Sequence, residues 1–297
     1  MPLPAPFLAT LRRPRADVID PLCAFLATYV KGDAAAEAQR RLTEVLREAT
    51  DAEWTDYVDF LATFGADWGR HDAHPLGRAM TWALFDPLLH PDSTLSGLEH
   101  LDAVIDGRTM IVCNHLSYVD PTSLWALMRR EGRQDLADRL TAVAGPKVYE
   151  GEPMRLMGAS ANHSIKVAQS AQVATEAGLG PRDIARITRA SLQLAAELMD
   201  AGRIVLIYPE GTRSRTGRLG PFLPGVGRWL ALDGVRIVPL ALAGPNRLYG
   251  LDGDTLHPAT VRGWLGAPVD TSAAASREDR VHLARNAVAA LLPEDMR

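Results

Sequence analysis

The sequence predicts an α/β protein: a largely parallel sheet flanked by helices, preceded by a small N-terminal helical bundle. Three observations carry that prediction. Stretches within the first ninety residues place apolar side chains at three- and four-residue steps, the period of a helix with one buried face. Near Pro91 the pattern changes, and short apolar runs begin to alternate with longer helical ones. The short runs are β-branched and bounded by Gly or Pro, as buried strands are. The chain therefore divides into a bundle over residues 1–90 and an α/β domain over residues 91–297.

Each element follows from its own residues. In 34–49, Ala38, Leu42, Val45, Leu46 and Ala49 form a single stripe among Arg and Glu, with Asp33 as the expected N-cap after Gly32. In 53–64, Trp54, Tyr57, Val58, Leu61 and Phe64 do the same. Segments 17–30 and 75–89 are further helices, started or kinked by Pro21, Pro75 and Pro87. Strands are expected at 109–113, 141–144, 204–208 and 236–242, with helices at 121–130, 183–201, 225–232 and 276–292. Ligands of such sheets sit beyond the carboxyl ends of the strands.

Composition narrows the function classes. With 47% apolar and 23% charged residues, the chain is neither disordered nor collagen-like. Its 36 acidic and 32 basic residues give a net charge of −4, which argues against a nucleic acid partner bound through bulk charge. The balance runs from −6 over residues 1–100 (9 basic, 15 acidic) to +3 over 201–297 (12 basic, 9 acidic), so an anionic ligand is better suited to the last third. Cys23 and Cys113 both lie in apolar surroundings, which fits a reducing compartment. No run reaches the roughly 18–20 apolar residues of a membrane span, and the basic residues of the N-terminus follow its apolar ones, unlike a secretory signal. A cytoplasmic protein is expected, with peripheral contact at the inner face of the membrane left open.

Two polar blocks stand at expected strand ends. The first runs from Asn114 to Pro121 and places His115 five residues before Asp120, the expected N-cap of the following helix. A rigid carboxylate that accepts from one ring nitrogen leaves the other as a fixed acceptor, which a general base requires. A loop histidine beside an ordinary capping aspartate would share this spacing. The second block, Glu210 to Arg218, gathers Thr212, Arg213, Ser214, Arg215, Thr216 and Arg218 in one turn. Arginine forks, hydroxyls and loop amides suit an oxyanion, most simply a phosphate. No Gly-Lys-Ser/Thr closes the turn as in a nucleotide P-loop. Lys166 lies in a short alternating stretch that could direct its ammonium inward. His71 and His74 have loose metal-ligand spacing without a third ligand in register, so no metal is expected.

Taken together, NHLSYVD and YPEGTRS resemble the glycerolipid acyltransferase superfamily, marked by a His-x4-Asp block and a Glu-Gly-Thr-Arg-Ser block. Residues 220–225 and the run Ile237-Val238-Pro239-Leu240 are similar to the family's later features. A narrower likeness is to soluble, chloroplast-type glycerol-3-phosphate acyltransferases, through the helical front domain, AGPKV at 144–148 and Ser164-Ile165-Lys166. Where those have Lys-His, this chain has Lys166-Val167, a departure that bears on the acceptor more than on the reaction. The resemblance implies that His115 is the general base and Asp120 its orienting partner. It further implies that Glu210, Gly211, Thr212 and Ser214 shape the acceptor pocket, and that Lys166, Arg213 and Arg215 bind the acceptor phosphate. The donor would be acyl-CoA or acyl carrier protein, with no cofactor. Glycerol 3-phosphate is the first expected acceptor; 1-acylglycerol 3-phosphate (lysophosphatidate) or another lysolipid is the alternative. A non-catalytic lipid-binding module is a third reading.

Overall fold

Helices form where the stripes fall. The computed structural model describes residues 3–150, 153–168 and 178–297. After α1 (Ala5–Leu11), α2 (Arg15–Ala27) turns Val18, Ile19, Leu22, Cys23 and Leu26 inward. In α3 (Ala34–Glu48), the predicted stripe buries Ala38, Leu42 and Leu46 completely. Asp33 takes the expected N-cap position but not the cap's hydrogen bond. The Ala35 amide already bonds to the Gly32 carbonyl, so Asp33 is wound into helical angles (φ −66°, ψ −19°), and no cap bond forms from its side chain. The next helix, α4 (Asp51–Thr63), opens with a capping box in which Thr50 and Glu53 satisfy each other's amides. It buries Trp54, Tyr57, Val58 and Leu61. In α5 (Pro75–Phe85), His74 is the cap: its Nδ1 accepts the Leu76 amide while Nε2 meets Asp56 at 3.0 Å.

Eight strands make one sheet: β1 (Gly69–His71), β2 (Thr94–Ser96), β3 (Thr109–Cys113), β4 (Leu140–Ala144), β5 (His163–Lys166), β6 (Ile204–Ile207), β7 (Arg236–Ala243) and β8 (Arg262–Leu265). Their order is β1-β5-β4-β6-β3-β7-β8-β2. All pairs are parallel except β1 with β5 and β7 with β8. Successive residues of a strand enter opposite cores. Ile111, Cys113, Leu206 and Leu240 join Leu26, Leu42 and Leu84 of the bundle on one face. Met110, Val112, Val205 and Ile207 face the other core.

The remaining longer helices are α6 (Asp120–Arg130), α7 (Pro153–Ala159), α8 (Pro181–Asp200) and α9 (Arg277–Leu291). Leu124 and Trp125 of α6 belong to the bundle-side core; Ala195 and Leu198 of α8 and Val281 and Ala284 of α9 belong to the other. The boundary expected at residue 90 thus does not separate two cores: the bundle shares its core with the sheet, and β1, from the first ninety residues, pairs with β5. The turn that delivers β1 is tight. Gly65 has φ +77°, and a Cβ there would lie 2.6 Å from Tyr149 Cβ, so no other residue fits.

Candidate active site

The site is assembled where β3 and β6 end side by side. Asn114, next after β3, completes the strand pairing with its side chain, donating to the Leu242 carbonyl (3.0 Å) and accepting the Leu242 amide (2.8 Å). The backbone is thereby anchored one residue before His115. Asp120 then gathers the loop around itself. Its carboxylate, fully buried, accepts the amides of Leu116 (2.8 Å) and Ser117 (3.0 Å), and lies 2.8 Å from His115 Nδ1. Asp120 is the first residue of α6, not its N-cap; the cap position is Val119. The carboxylate turns back toward the loop because three donors converge on it there.

With Nδ1 donating to a carboxylate, Nε2 is the free acceptor of the neutral ring. Nε2 has no hydrogen-bond partner among the described residues, and the ring stacks on Tyr208 (centroids 4.4 Å apart, planes at 24°). Burial pushes the Tyr208 phenol up, and its hydroxyl has no hydrogen-bond partner among the described residues. Ser117, fully buried, donates to the Tyr249 carbonyl at 2.7 Å and is not placed as a nucleophile.

Glu210 braces the same loop from the turn that follows the neighbouring strand, β6. One carboxylate oxygen accepts the His115 amide and the other the Gly220 amide, both at 2.8 Å. Burial pushes its carboxyl up, against the lowering by those two amides. Gly211, at φ +68°, then reverses the chain, and the next residues come round to the cavity. Arg213 lays its guanidinium on Tyr118, 3.8 Å from the ring centroid, and donates to the Leu251 carbonyl at 2.9 Å.

A cavity of about 620 Å³ opens over His115. Its wall includes Tyr118, Glu210, Gly211, Thr212, Arg213 and Arg215, together with Leu26, Tyr57, Met80, Leu84 and Phe85 from the bundle. That volume is typical of a site that encloses most of a medium-sized ligand.

Most of the expected residues are brought together; two are not. Ser214 turns into its own loop, its hydroxyl donating to the Arg218 carbonyl (2.7 Å) and its amide to the His115 carbonyl (2.8 Å), and it does not line the cavity. Lys166 also lies off the cavity. Its ammonium donates to the Gly65 carbonyl at 2.5 Å and sits over the rings of Trp68 and Tyr149, because β5 faces the bundle at that point. Sequence reasoning missed Asn114, Tyr118 and Tyr208 as working parts, although each lies in or beside a block it singled out. It also missed Arg155 of α7, which lines the cavity and carries no motif.

Comparison with known proteins gives a consistent family. The family model described as Acyltransferase matches residues 92–243, just over half of the chain. The chain is similar to 1-acyl-sn-glycerol-3-phosphate acyltransferase LPAT1, chloroplastic, of Arabidopsis thaliana, with 38% identity over 85 residues, 28% of this chain and 24% of that protein. To 1-acyl-sn-glycerol-3-phosphate acyltransferase of Cocos nucifera it is 25% identical over 198 residues, 67% of this chain and 54% of that one. The matches thus span about half, or less, of the length of these relatives. The crystal structure of the 1-acyl-sn-glycerophosphate acyltransferase PlsC from Thermotoga maritima aligns with a TM-score of 0.47 and 19% identity, covering 93% of this chain and 95% of that one. With His115 and Asp120 joined at the end of β3, and the Glu210–Arg213 turn beside them, the chain belongs to the acyltransferase family.

Proposed function

We propose that the protein transfers an acyl group from a thioester, acyl-CoA or acyl carrier protein, to the free hydroxyl of 1-acylglycerol 3-phosphate. One observation carries the reading: the His115–Asp120 pair opens onto a cavity whose wall combines arginines with a long apolar lining. A hydroxyl is a weak nucleophile near neutral pH and needs a base at the moment of attack. Nε2 of His115 takes the hydroxyl proton as the oxygen attacks the thioester carbonyl. Asp120 holds the tautomer and stabilises the imidazolium. Collapse of the tetrahedral intermediate expels the thiolate, which recovers that proton from His115. Arg213, with Arg215 beside it, holds the phosphate, so binding energy remote from the reacting oxygen places the hydroxyl.

The apolar bundle residues in the wall suit an acceptor that already bears one acyl chain better than they suit glycerol 3-phosphate. The names of the relatives support the same choice. Such an acceptor resides in a membrane, and no helix among the described residues is long and apolar enough to cross one, so the reading includes peripheral contact with the bilayer. Purified protein supplied with a labelled acyl thioester should convert 1-acylglycerol 3-phosphate to phosphatidate and turn over glycerol 3-phosphate far more slowly. Faster acylation of glycerol 3-phosphate would reverse the acceptor; acylation of neither would end the reading.

A further inference from the structure

Besides Arg213 and Arg215, the cavity wall holds a third guanidinium that the family blocks do not account for. Arg155, on α7, places its Cζ 4.8 Å from the centroid of the Tyr118 ring that Arg213 also covers. Two cations therefore share one aromatic platform beside His115, and neither forms an ion pair among the described residues. Like charges brought this near are favourable only when an anion or an electron-rich surface offsets them. The ring supplies part of that offset.

The donors point the same way. Arg155 Nε is buried and has no hydrogen-bond partner among the described residues. Among the described residues its guanidinium makes a single long bond, Nη1 to the Glu150 carbonyl at 3.4 Å, and Arg213 makes one to the Leu251 carbonyl. Each guanidinium has five N–H donors, so most of both forks are unused by the described residues. A buried donor left unpaired is a standing penalty that a bound acceptor atom removes.

We propose that Arg155 is a further ligand of the acceptor phosphate, bracketing it with Arg213 across Tyr118 and selecting a phosphomonoester dianion over a phosphodiester. The proposal rests on the acceptor being phosphorylated, as argued above. A dianion engages two cations, whereas a diester such as 1-acylglycerol 3-phosphocholine offers one negative charge and one fewer free oxygen.

Binding and kinetics together test it. Calorimetric titration with glycerol 3-phosphate, used as a headgroup probe, should show affinity for the wild-type protein and a loss of about tenfold or more in Arg155→Ala, the range of a lost charge-assisted pair. Arg155→Lys, which keeps the charge but not the fork, should fall between them. In turnover, Arg155→Ala should raise KM for 1-acylglycerol 3-phosphate, leave KM for the acyl thioester unchanged, and narrow the preference over 1-acylglycerol 3-phosphocholine. If Arg213→Ala weakens probe binding and both Arg155 variants leave it intact, the inference is overturned while the proposed function stands. If the wild-type protein acylates the phosphocholine acceptor as well as the phosphomonoester, the inference is overturned while the proposed function stands; if it acylates no phosphorylated acceptor, both fail.

Discussion

Lys166 is the last residue of β5 and Arg213 lies in the loop after β6, the two strands that flank β4, and their fates are opposite. Lys166 is 9% exposed; its ammonium is held by the Gly65 carbonyl, Trp68 and Tyr149, and burial lowers its pKa. Arg213 makes one bond to a backbone carbonyl and keeps the rest of its fork toward the cavity. Both are basic residues at the carboxyl end of a strand. The difference lies in what the first ninety residues do: the bundle closes over β5 and consumes the lysine, but leaves the loop after β6 open. A cation near a sheet's active edge becomes a ligand only where its own fold leaves donors free.

The sharpest way to test that division begins with the base itself. His115→Ala should lower kcat by about 10²–10⁴ while leaving the melting temperature nearly unchanged, because the ring makes no bond that the rest of the fold needs beyond Asp120. A loss of kcat below tenfold would move the base elsewhere.

Next comes the pair of cations. Arg213→Ala should raise KM for 1-acylglycerol 3-phosphate by about tenfold or more with little change in stability. Lys166→Ala should do the reverse, lowering stability by about 1–3 kcal/mol through the unpaired Gly65 carbonyl, with KM unchanged. Denaturant titration and steady-state kinetics on both variants decide; a KM effect at Lys166 would erase the distinction.

The smallest expected effect is a pH dependence on the β5 side. His163 is pushed down to about 4, first by burial and then by Arg203 and Arg78, while its Nδ1 accepts the Ala73 amide. Between about pH 4 and 6.5 the unfolded chain carries a proton there that the native protein does not, so stability falls as pH drops through that window and is complete above it. His163→Gln should flatten the slope of melting temperature against pH. An equal slope in both proteins would assign the dependence to another group.

These contrasts also mark what the sequence could disclose. Residues 109–113 were readable because a fully buried strand is a continuous apolar run, and β3 spans Thr109–Cys113. Strands β1, β2 and β8 were not, since three or four residues carry no period. His115 and Asp120 were legible as neighbours, yet the carboxylate's three donors and its place inside the helix depended on how the loop closes. An inward Lys166 was only one reading of its alternating stretch, beside that of a surface lysine, and what it points at is supplied by Gly65 and Trp68, about a hundred residues earlier. Arg155 had no signal at all: one arginine on a short helix becomes notable only once Tyr118 lies beneath it.

Leu26, Met80 and Leu84 give the cavity part of its wall from helices that bear none of the family's marks. The reacting groups and the vessel that contains their substrate are therefore encoded in different stretches of the polypeptide. Substitutions in α2 and α5 can reshape which molecules are admitted without touching any group that moves a proton, and a fragment starting at residue 91 would retain the chemistry's tools but lack one side of the container.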